Sequence, residues 1–183
     1  YQLKQHNREL IRVAQTDVLT GLANRTRLNQ LFEAEFERAR RYQNPFSIIL
    51  LDLDNFKRVN DELGHIMGDR VLVEVARTGR ETVRSTDTFG RWGGEEFLVL
   101  CPETPLQGAI ELAARIRQAV QTQEFPSQRR HTISAGVATL ENEQNMDALL
   151  HKADLSLSHA KAHGKNQVCA VPDNSGQNQC SGE

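Results

Sequence analysis

The sequence has few cysteines and no long hydrophobic run. Its three cysteines, Cys101, Cys169 and Cys180, are odd in number, widely separated and outside any CxxC or Cys/His cluster. This spacing argues against both a disulfide framework and a structural zinc site. No apolar run approaches the ~20 residues that cross a bilayer, and no secretory signal opens the chain. We therefore expect a cytoplasmic domain, whether or not the full-length protein is attached to a membrane.

An excess of charge of one sign is also missing. The 22 lysines and arginines nearly balance the 24 aspartates and glutamates, so the formal net charge is −2. A nucleic-acid partner bound through a strongly basic surface is therefore not expected. With 183 residues, against ~150 for a typical domain, the chain should hold one folded domain and a flanking segment.

The two ends of the chain differ from its middle. Residues 1–15 are polar with an incomplete heptad seam, which fits either a solvated helix or the end of a signalling helix from an upstream sensor domain. Because the sequence begins with Tyr1 rather than methionine, we expect it to be part of a longer protein. Residues 172–183 are polar and aperiodic, which predicts a disordered tail. The folded domain is thus expected at residues 16–171.

Helix and strand patterns alternate through this middle part in the order βααββαβαβ. That order predicts an α/β (α+β) domain in which a mixed central β-sheet is flanked by helices. Gly93 and Gly94 separate two short strands and are expected to form a hairpin turn that requires positive φ. The expected helix ends are an N-cap at Asn24, an N-cap at Thr104 followed by Pro105 in the first helical position, and a C-cap at Gly164.

Acidic residues stand at the ends of two predicted strands. Asp52 and Asp54 close an apolar strand over residues 46–54, and Glu95 and Glu96 follow the glycine turn. If the two strands are neighbours, these carboxylates converge at one edge of the sheet, where they suit Mg²⁺ and a phosphate ester. The alternative is a solvated turn whose charges discourage edge-to-edge pairing.

Other recognisable phosphate-binding and hydrolytic motifs are missing. The sequence has no GxxxxGK[ST] loop and no GxGxxG after a strand, which disfavours P-loop and Rossmann nucleotide sites. It has no HExxH and no GxSxG, which disfavours a zinc protease or an α/β-hydrolase. The six histidines are scattered and suggest no ligand set.

Five ordered blocks carry a family resemblance: DVLTGLANR (17–25), DLDNFKRVNDELGHIMGD (52–69), RSTDTFGRWGGEEF (84–97), TISAGV (132–137) and ADLSLSHAKAHGKN (153–166). The chain resembles a GGDEF-domain diguanylate cyclase, in the variant whose signature reads GGEEF. The resemblance implies a fold like the palm of nucleotide cyclases and polymerases. It also implies condensation of two GTP molecules into cyclic di-GMP with release of two pyrophosphates. Two Mg²⁺ ions per active site are implied as cofactors, with Mn²⁺ as a possible substitute.

The resemblance assigns roles to the acidic residues. Asp52, the main-chain carbonyl of Leu53, Glu95 and Glu96 would hold the metal ions, and Glu95 is the candidate base for the attacking 3′-hydroxyl. Asp54 becomes a structural carboxylate. Lys57 would stabilise negative charge on the phosphates, a role that suits a compact cation on a long stem.

Substrate recognition follows from the same comparison. Asn60 and Asp69 match the pair that recognises guanine, since an amide and a carboxylate together satisfy its donor and acceptor edge. Phe56 would pack near the base, and Gly93 and Gly94 leave room for the phosphates to approach the main chain.

Two lysines on the last helix match the cations that hold the triphosphate tail. They are Lys161 and Lys165, and the second departs from the arginine usual in the family. Lysine keeps the charge but loses the bidentate fork, so we expect weaker triphosphate binding. Ser158 and Ser156 also replace a usual tyrosine and alanine, which makes this helix less typical in its packing.

Regulation is implied by an RxxD pair ahead of the signature. Arg84 and Asp87 resemble the inhibitory site that binds the product, cyclic di-GMP, and Arg115 could supply a second arginine from a neighbouring subunit. Because one site holds one GTP, the product requires a homodimer in which the two sites face each other. The alternative function is a catalytically silent module that serves only as a cyclic di-GMP receptor through Arg84 and Asp87.

Overall fold

A computed structural model describes residues 14–170 and 179–181 of the chain. Five helices are α1 Arg25–Tyr42, α2 Phe56–Leu63, α3 His65–Thr82, α4 Leu106–Thr122 and α5 Met146–Ala162. Six strands are β1 Phe46–Leu53, β2 Thr88–Arg91, β3 Glu96–Pro102, β4 Ile133–Thr139, β5 Val168–Ala170 and β6 Gln179–Ser181. The predicted N-terminal helix falls outside the described residues, apart from a helical Ala14 and Gln15. None of the described helices is both long and apolar enough to cross a membrane.

The strands form one sheet in the order β2-β3-β1-β4-β5-β6. All neighbouring pairs are antiparallel except β4 and β5, which are parallel. The predicted mixed sheet flanked by helices is therefore confirmed. The central position of β1 between β3 and β4 buries it on both faces, which explains its continuous apolar run.

Alternating residues of β1 face two separate hydrophobic cores. Ile49, Leu51 and Leu53 belong to the core under α2, α3 and α4. Ile48 and Leu50 belong to the core under α1 and α5. Because side chains alternate with a period of two, Asp52 continues the second set and points to the face that α1 and α5 cover.

A glycine sets the distance between α5 and the sheet. A Cβ at Gly136 of β4 would lie 2.1 Å from the Ala153 carbonyl oxygen and 2.4 Å from the Leu157 nitrogen, both of the α5 backbone. Only glycine therefore allows this approach of helix to strand. The close packing brings the C-terminal end of α5 over the end of β1.

Some local expectations are confirmed and others are wrong. Asn24 caps α1, since its side chain accepts a hydrogen bond from the Arg27 amide. The C-cap of α5 is His163 rather than the predicted Gly164, which follows it with φ of 112°. The expected start of α4 is one residue early: Pro105 is the N-cap, and the Thr104 hydroxyl donates instead to the Pro102 carbonyl. The β2–β3 hairpin is present, but neither glycine at its turn has the predicted positive φ. Main-chain bonds from residues 92 and 93 to the Glu96 carbonyl form the turn instead.

The C-terminal region corrects two expectations. Gln179–Ser181 pair with β5 as a strand, so this part of residues 172–183 is not the disordered tail that was predicted. The register places Cys169 opposite Cys180, and the two form a disulfide. The sequence spacing had argued against any disulfide because it does not show which strands pair.

Candidate active site

The two acidic strand ends meet, as the sequence predicted. Asp52 of β1 lies directly opposite Glu96 of β3 in the antiparallel register, so the two side chains share one face of the sheet. Glu95 precedes Glu96, and its carbonyl accepts a hydrogen bond of 3.2 Å from the Leu53 amide. Asp52 is 5 % exposed, while both glutamates are half-buried. The ends of β1 and β3 therefore carry three carboxylates close enough for Glu95 and Glu96 to act on the charge of Asp52.

One lysine compensates part of this negative charge. Lys161 Nζ lies 2.7 Å from Asp52 Oδ1. Burial raises the pKa of Asp52 to about 6; the hydrogen bond and charge of Lys161 oppose that rise, and Glu95 and Glu96 add to it. Asp52 is thus a carboxylate for which a further cation would be favourable.

The donor set suits a hard divalent cation. Carboxylate oxygens and a backbone carbonyl, such as that of Leu53, are the ligands that Mg²⁺ and Mn²⁺ prefer. Within the described part of the chain, Lys161 is the only ion-pair partner of Asp52, Glu95 or Glu96. A divalent ion would balance the remaining charge, so the residues present fit the metal that the sequence predicts.

Asp54 has a structural role instead. Its Oδ1 accepts from the Ser134 hydroxyl at 2.7 Å, and its Oδ2 accepts from the Thr132 hydroxyl at 2.7 Å and the Asn166 amide at 3.0 Å. These contacts join the end of β1 to β4 and to the loop after α5. Because both of its carboxylate oxygens accept hydrogen bonds within the protein, Asp54 connects these segments, which fits the structural role predicted for it.

The two predicted triphosphate lysines lie at the same end of the sheet. Lys161 is in the last turn of α5, and exposed Lys165 follows in the loop, where its Nζ donates to Asn55 Oδ1. Lys165 therefore contacts the loop between β1 and α2 rather than the acidic cluster. Ser156 is buried and bonds to the Lys152 carbonyl of its own helix, whereas Ser158 is exposed.

The predicted base-binding residues gather at α2 and α3. A Cβ at Gly68 would lie 1.9 Å from Asn60 Oδ1 and 3.3 Å from the Phe56 ring, so these three residues are in contact. Asn60 Oδ1 is buried and has no hydrogen-bond partner among the described residues. Asp69, next to Gly68, and Lys57, in the first turn of α2, are both exposed. A buried acceptor without a partner points to a ligand that donates to it.

The predicted product-binding pair lies elsewhere. Arg84 and Asp87 close a turn between α3 and β2, in which the Asp87 carboxylate accepts from the Arg84 amide at 2.9 Å. Thr88 pairs with Leu100, so this turn lies at the end of β3 opposite to Glu96. Four strand residues at ~3.3 Å each separate the two ends by roughly 13 Å. The guanidinium of Arg84 is exposed, as is Arg115 on α4.

Comparison with known proteins decides the family. Residues 14–167 match the family described as "Diguanylate cyclase, GGDEF domain". The chain belongs to the GGDEF family. It is 38% identical over 168 residues to diguanylate cyclase DgcM of Escherichia coli, covering 92% of this chain and 41% of that protein. It is 40% identical over 164 residues to the response regulator PleD of Caulobacter vibrioides, covering 86% and 36%. The chain therefore spans about two-fifths of the length of each of these two relatives.

Solved structures of GGDEF and GGEEF domains have the same fold as this chain. The coiled coil and GGDEF domain of DgcB from Caulobacter crescentus, in complex with c-di-GMP, has a TM-score of 0.89 at 27% identity, covering 93% of this chain and 92% of that one. The active GGEEF domain of a diguanylate cyclase from Vibrio cholerae has a TM-score of 0.80 at 34% identity, covering 84% and 99%. The expected palm-like GGDEF fold is thus confirmed.

The sequence patterns did not reveal the group that holds the signature turn of this GGDEF domain. Arg91 donates to the carbonyls of Gly93 and Gly94, and its Nη1 lies 3.2 Å from both carboxylate oxygens of Asp17. Burial alone would raise the pKa of Asp17, but hydrogen bonds from Thr20 and the charge of Arg91 outweigh it and hold this pKa below its usual value. The pair ties the segment before α1 to the turn that carries Glu95.

Trp92 packs beside the same turn. It is 8 % exposed, and the Arg25 guanidinium lies 4.4 Å from its ring centroid, within the range of a cation–π contact. The residue before Gly93 is therefore fixed by the first turn of α1. No role for Trp92 could be predicted from sequence, because Arg25 is distant in the chain.

Proposed function

We propose that this GGDEF domain is a diguanylate cyclase, which condenses two GTP molecules into cyclic di-GMP and releases two pyrophosphates. The observation that carries the proposal is the register of β1 and β3, which sets Asp52 opposite Glu96 beside Glu95. The named function of its relatives supports the same activity. A domain that only binds cyclic di-GMP would have no use for this acidic cluster.

Each part of the site then has a task. Asp52, the Leu53 carbonyl, Glu95 and Glu96 would hold two Mg²⁺ ions, which neutralise triphosphate charge and lower the pKa of the 3′-hydroxyl when bound. Glu95 accepts the proton of that hydroxyl. Lys57, Lys161 and Lys165 bind phosphate oxygens. Lys161 exchanges its present partner Asp52 for the triphosphate when GTP enters.

Guanine is selected at α2 and α3. The unpartnered Oδ1 of Asn60 accepts a hydrogen bond from the base, and the neighbouring Asp69 carboxylate accepts another from its donor edge. Adenine does not offer the same arrangement of donors, so it would leave the buried oxygen unsatisfied. Phe56, 9 % exposed and in contact with Gly68, provides an apolar surface against which the base packs.

The reaction requires two chains. The described residues form one acidic cluster, and a cyclic product with two equal halves needs two GTP molecules that attack each other. We therefore expect a homodimer in which each 3′-hydroxyl faces the partner's α-phosphate. An upstream sensor would control this encounter through the segment that precedes α1. The initial rate should rise faster than linearly with enzyme concentration.

Product inhibition would act through the turn at Arg84 and Asp87. The exposed guanidinium of Arg84 suits a phosphate and a guanine edge, and Asp87 suits the base. Arg115 from a neighbouring subunit would add a second arginine. The distance of this turn from Glu96 makes its ligand an allosteric one, bound beside rather than in the active site.

The decisive experiment is a product analysis. The chain is incubated with GTP and Mg²⁺, and cyclic di-GMP and pyrophosphate are quantified. We expect both products in a 1:2 ratio, with activity lost in Glu95→Gln and retained in Glu103→Gln, which makes the same charge change at the far end of β3. Binding of cyclic di-GMP without any pyrophosphate from GTP would reject the cyclase and favour the receptor.

A further inference from the structure

Three side chains of types that can bind metals lie close together beside the edge strand β6. His159 of α5, Cys169 of β5 and Cys180 of β6 each offer a ligand atom, and these atoms all lie within 4.8 Å of one another. Cys169 is buried, His159 half-buried and Cys180 exposed. The three residues come from three separate elements, and pairing of β5 with β6 brings them together. None of them takes part in the active site.

A fourth candidate ligand, His163, lies one helical turn along, outside the group of three whose ligand atoms are within 4.8 Å of one another. His163 follows His159 at the i+4 position, and their ring centroids are 3.8 Å apart. The Nδ1 of His163 donates to the His159 carbonyl oxygen at 2.9 Å. A hydrogen on Nδ1 leaves the lone pair on Nε2, which is the neutral form that binds metals.

We propose that His159, His163, Cys169 and Cys180 form a zinc site when the two cysteines are reduced. Two thiolates and two imidazoles are a donor set typical of tetrahedral structural zinc, and the three-residue gap between the histidines lies in the usual range. The observed cluster of His159, Cys169 and Cys180 corrects the sequence-based expectation that no Cys/His cluster exists. Spacing along the sequence does not reveal this cluster, because Cys169 and Cys180 become neighbours only through the pairing of β5 with β6.

The disulfide and the zinc site are alternative states of the same two sulfur atoms. A thiol reductant breaks the Cys169–Cys180 bond by exchange, giving two protein thiols and the disulfide of the reductant. Zn²⁺ then binds as both thiols lose their protons to solvent. In zinc sites the two sulfurs lie ~3.8 Å apart, given Zn–S bonds of ~2.3 Å in a tetrahedron, a separation that the broken bond allows.

The two metal sites of the chain would differ in chemistry. Thiolate and imidazole ligands favour zinc, whereas the carboxylates of Asp52, Glu95 and Glu96 favour Mg²⁺. Excess Mg²⁺ therefore occupies the acidic cluster without competing for the sulfur site. This difference allows each site to be measured in the presence of the other.

Metal binding would also act on the active site. Lys161 lies between His159 and His163 and contacts Asp52. A metal held by both histidines and by the β5–β6 pair fixes the last turn of α5 against the sheet. The position of Lys161 then depends on whether this corner of the domain is held by metal.

Cobalt is the probe that tests the site. The chain is reduced, freed of reductant and titrated with Co²⁺ in excess Mg²⁺. We expect one equivalent to give a thiolate-to-cobalt charge-transfer band and the visible bands of a tetrahedral ion, and Zn²⁺ to displace it. His159→Gln, His163→Gln and Cys180→Ser should each weaken zinc binding about 100-fold or more, since loss of even an outer-shell partner costs 10–100-fold.

His151→Gln is the matched control, because His151 is an exposed histidine on the same helix outside the cluster. The His151→Gln variant should bind zinc with the same affinity as the unchanged chain. Circular dichroism verifies that each variant is folded. A cobalt complex without thiolate bands, or equal zinc affinity in Cys180→Ser and His151→Gln, would overturn the proposal. Unchanged affinity in His163→Gln would remove that residue from the ligand set and overturn the four-ligand site.

Discussion

Lys161 Nζ lies 2.7 Å from Asp52 Oδ1, joining the last turn of α5 to the end of β1. Despite this partner, burial keeps the pKa of Asp52 at about 6, above its ordinary value of 3.8. A folded-state pKa above the unfolded value means that the native protein binds the proton more tightly. Protonation of Asp52 therefore stabilises the metal-free fold.

The first prediction concerns stability against pH. The contribution of Asp52 is fully present below its unfolded pKa near 3.8 and is lost as pH rises through about 6. Between roughly pH 4 and pH 7 the free energy of unfolding should lose up to about 3 kcal/mol from this group. Urea unfolding in a chelator measures it. Asp52→Asn should remove this loss. Asp154→Asn changes an exposed carboxylate of α5 and should retain it. If the free energy of unfolding falls equally with pH in both variants, the prediction is contradicted.

The second prediction concerns the ion pair that holds the signature turn. Asp17→Asn and Arg91→Lys should each lower both stability and cyclase activity, because Arg91 also holds the carbonyls of Gly93 and Gly94. A double-mutant cycle should give a coupling energy of about 1–2 kcal/mol. For comparison, the pair of exposed Arg77 with half-buried Glu74 should couple by about 0.5 kcal/mol or less. Strict additivity at residues 17 and 91 would show that the pair does not act as a unit.

The third prediction concerns Gly68. Alanine there would set its Cβ 1.9 Å from Asn60 Oδ1 and displace the carboxamide. We expect the KM for GTP to rise about tenfold or more, since one misplaced polar partner costs ~1–3 kcal/mol. Gly108→Ala in α4 is the control, because its Cβ would meet side-chain atoms no closer than 3.2 Å. If the KM for GTP is the same in both variants, the position of the Asn60 carboxamide does not depend on the space at Gly68.

The fourth prediction concerns the product. Arg84→Ala should weaken cyclic di-GMP binding by about 100-fold, because truncation of a charged hydrogen-bonding partner costs ~2–5 kcal/mol. Isothermal titration calorimetry measures the affinity. Arg77→Ala, an exposed arginine of α3 that pairs only with Glu74 and Glu81 among the described residues, should bind the product unchanged. Equal affinities in the two variants would place the product site elsewhere.

Much of the active site could be predicted because its signals are local. An apolar strand that ends in Asp52 and a hairpin that carries Glu95 and Glu96 can be read from adjacent residues, and neighbouring strands then bring them together. The predicted base-binding residues also lie within one continuous block, residues 52–69. In each case the chemistry and its position are encoded within a few turns of chain.

Other features depend on contacts between distant residues. Asp17 and Arg91 are separated by 74 positions, and neither stands in a pattern that indicates an ion pair. The cluster of His159, Cys169 and Cys180 exists only because β6 pairs with β5. The φ of Gly93 and Gly94 was predicted wrongly because bonds from two amides to one carbonyl form this turn, rather than a two-residue loop of left-handed conformation.

Trp92 is the only tryptophan of the chain, and it lies directly before Gly93 beneath the Arg25 guanidinium. The indole emission of the whole domain therefore originates at the signature turn. A ligand that shifts this turn will alter the intensity or wavelength of that emission, while events at the distant Arg84 turn will affect it only if they are transmitted through β2. The molecule thus contains its own optical reporter, and stopped-flow fluorescence can time ligand binding at this turn without any attached dye.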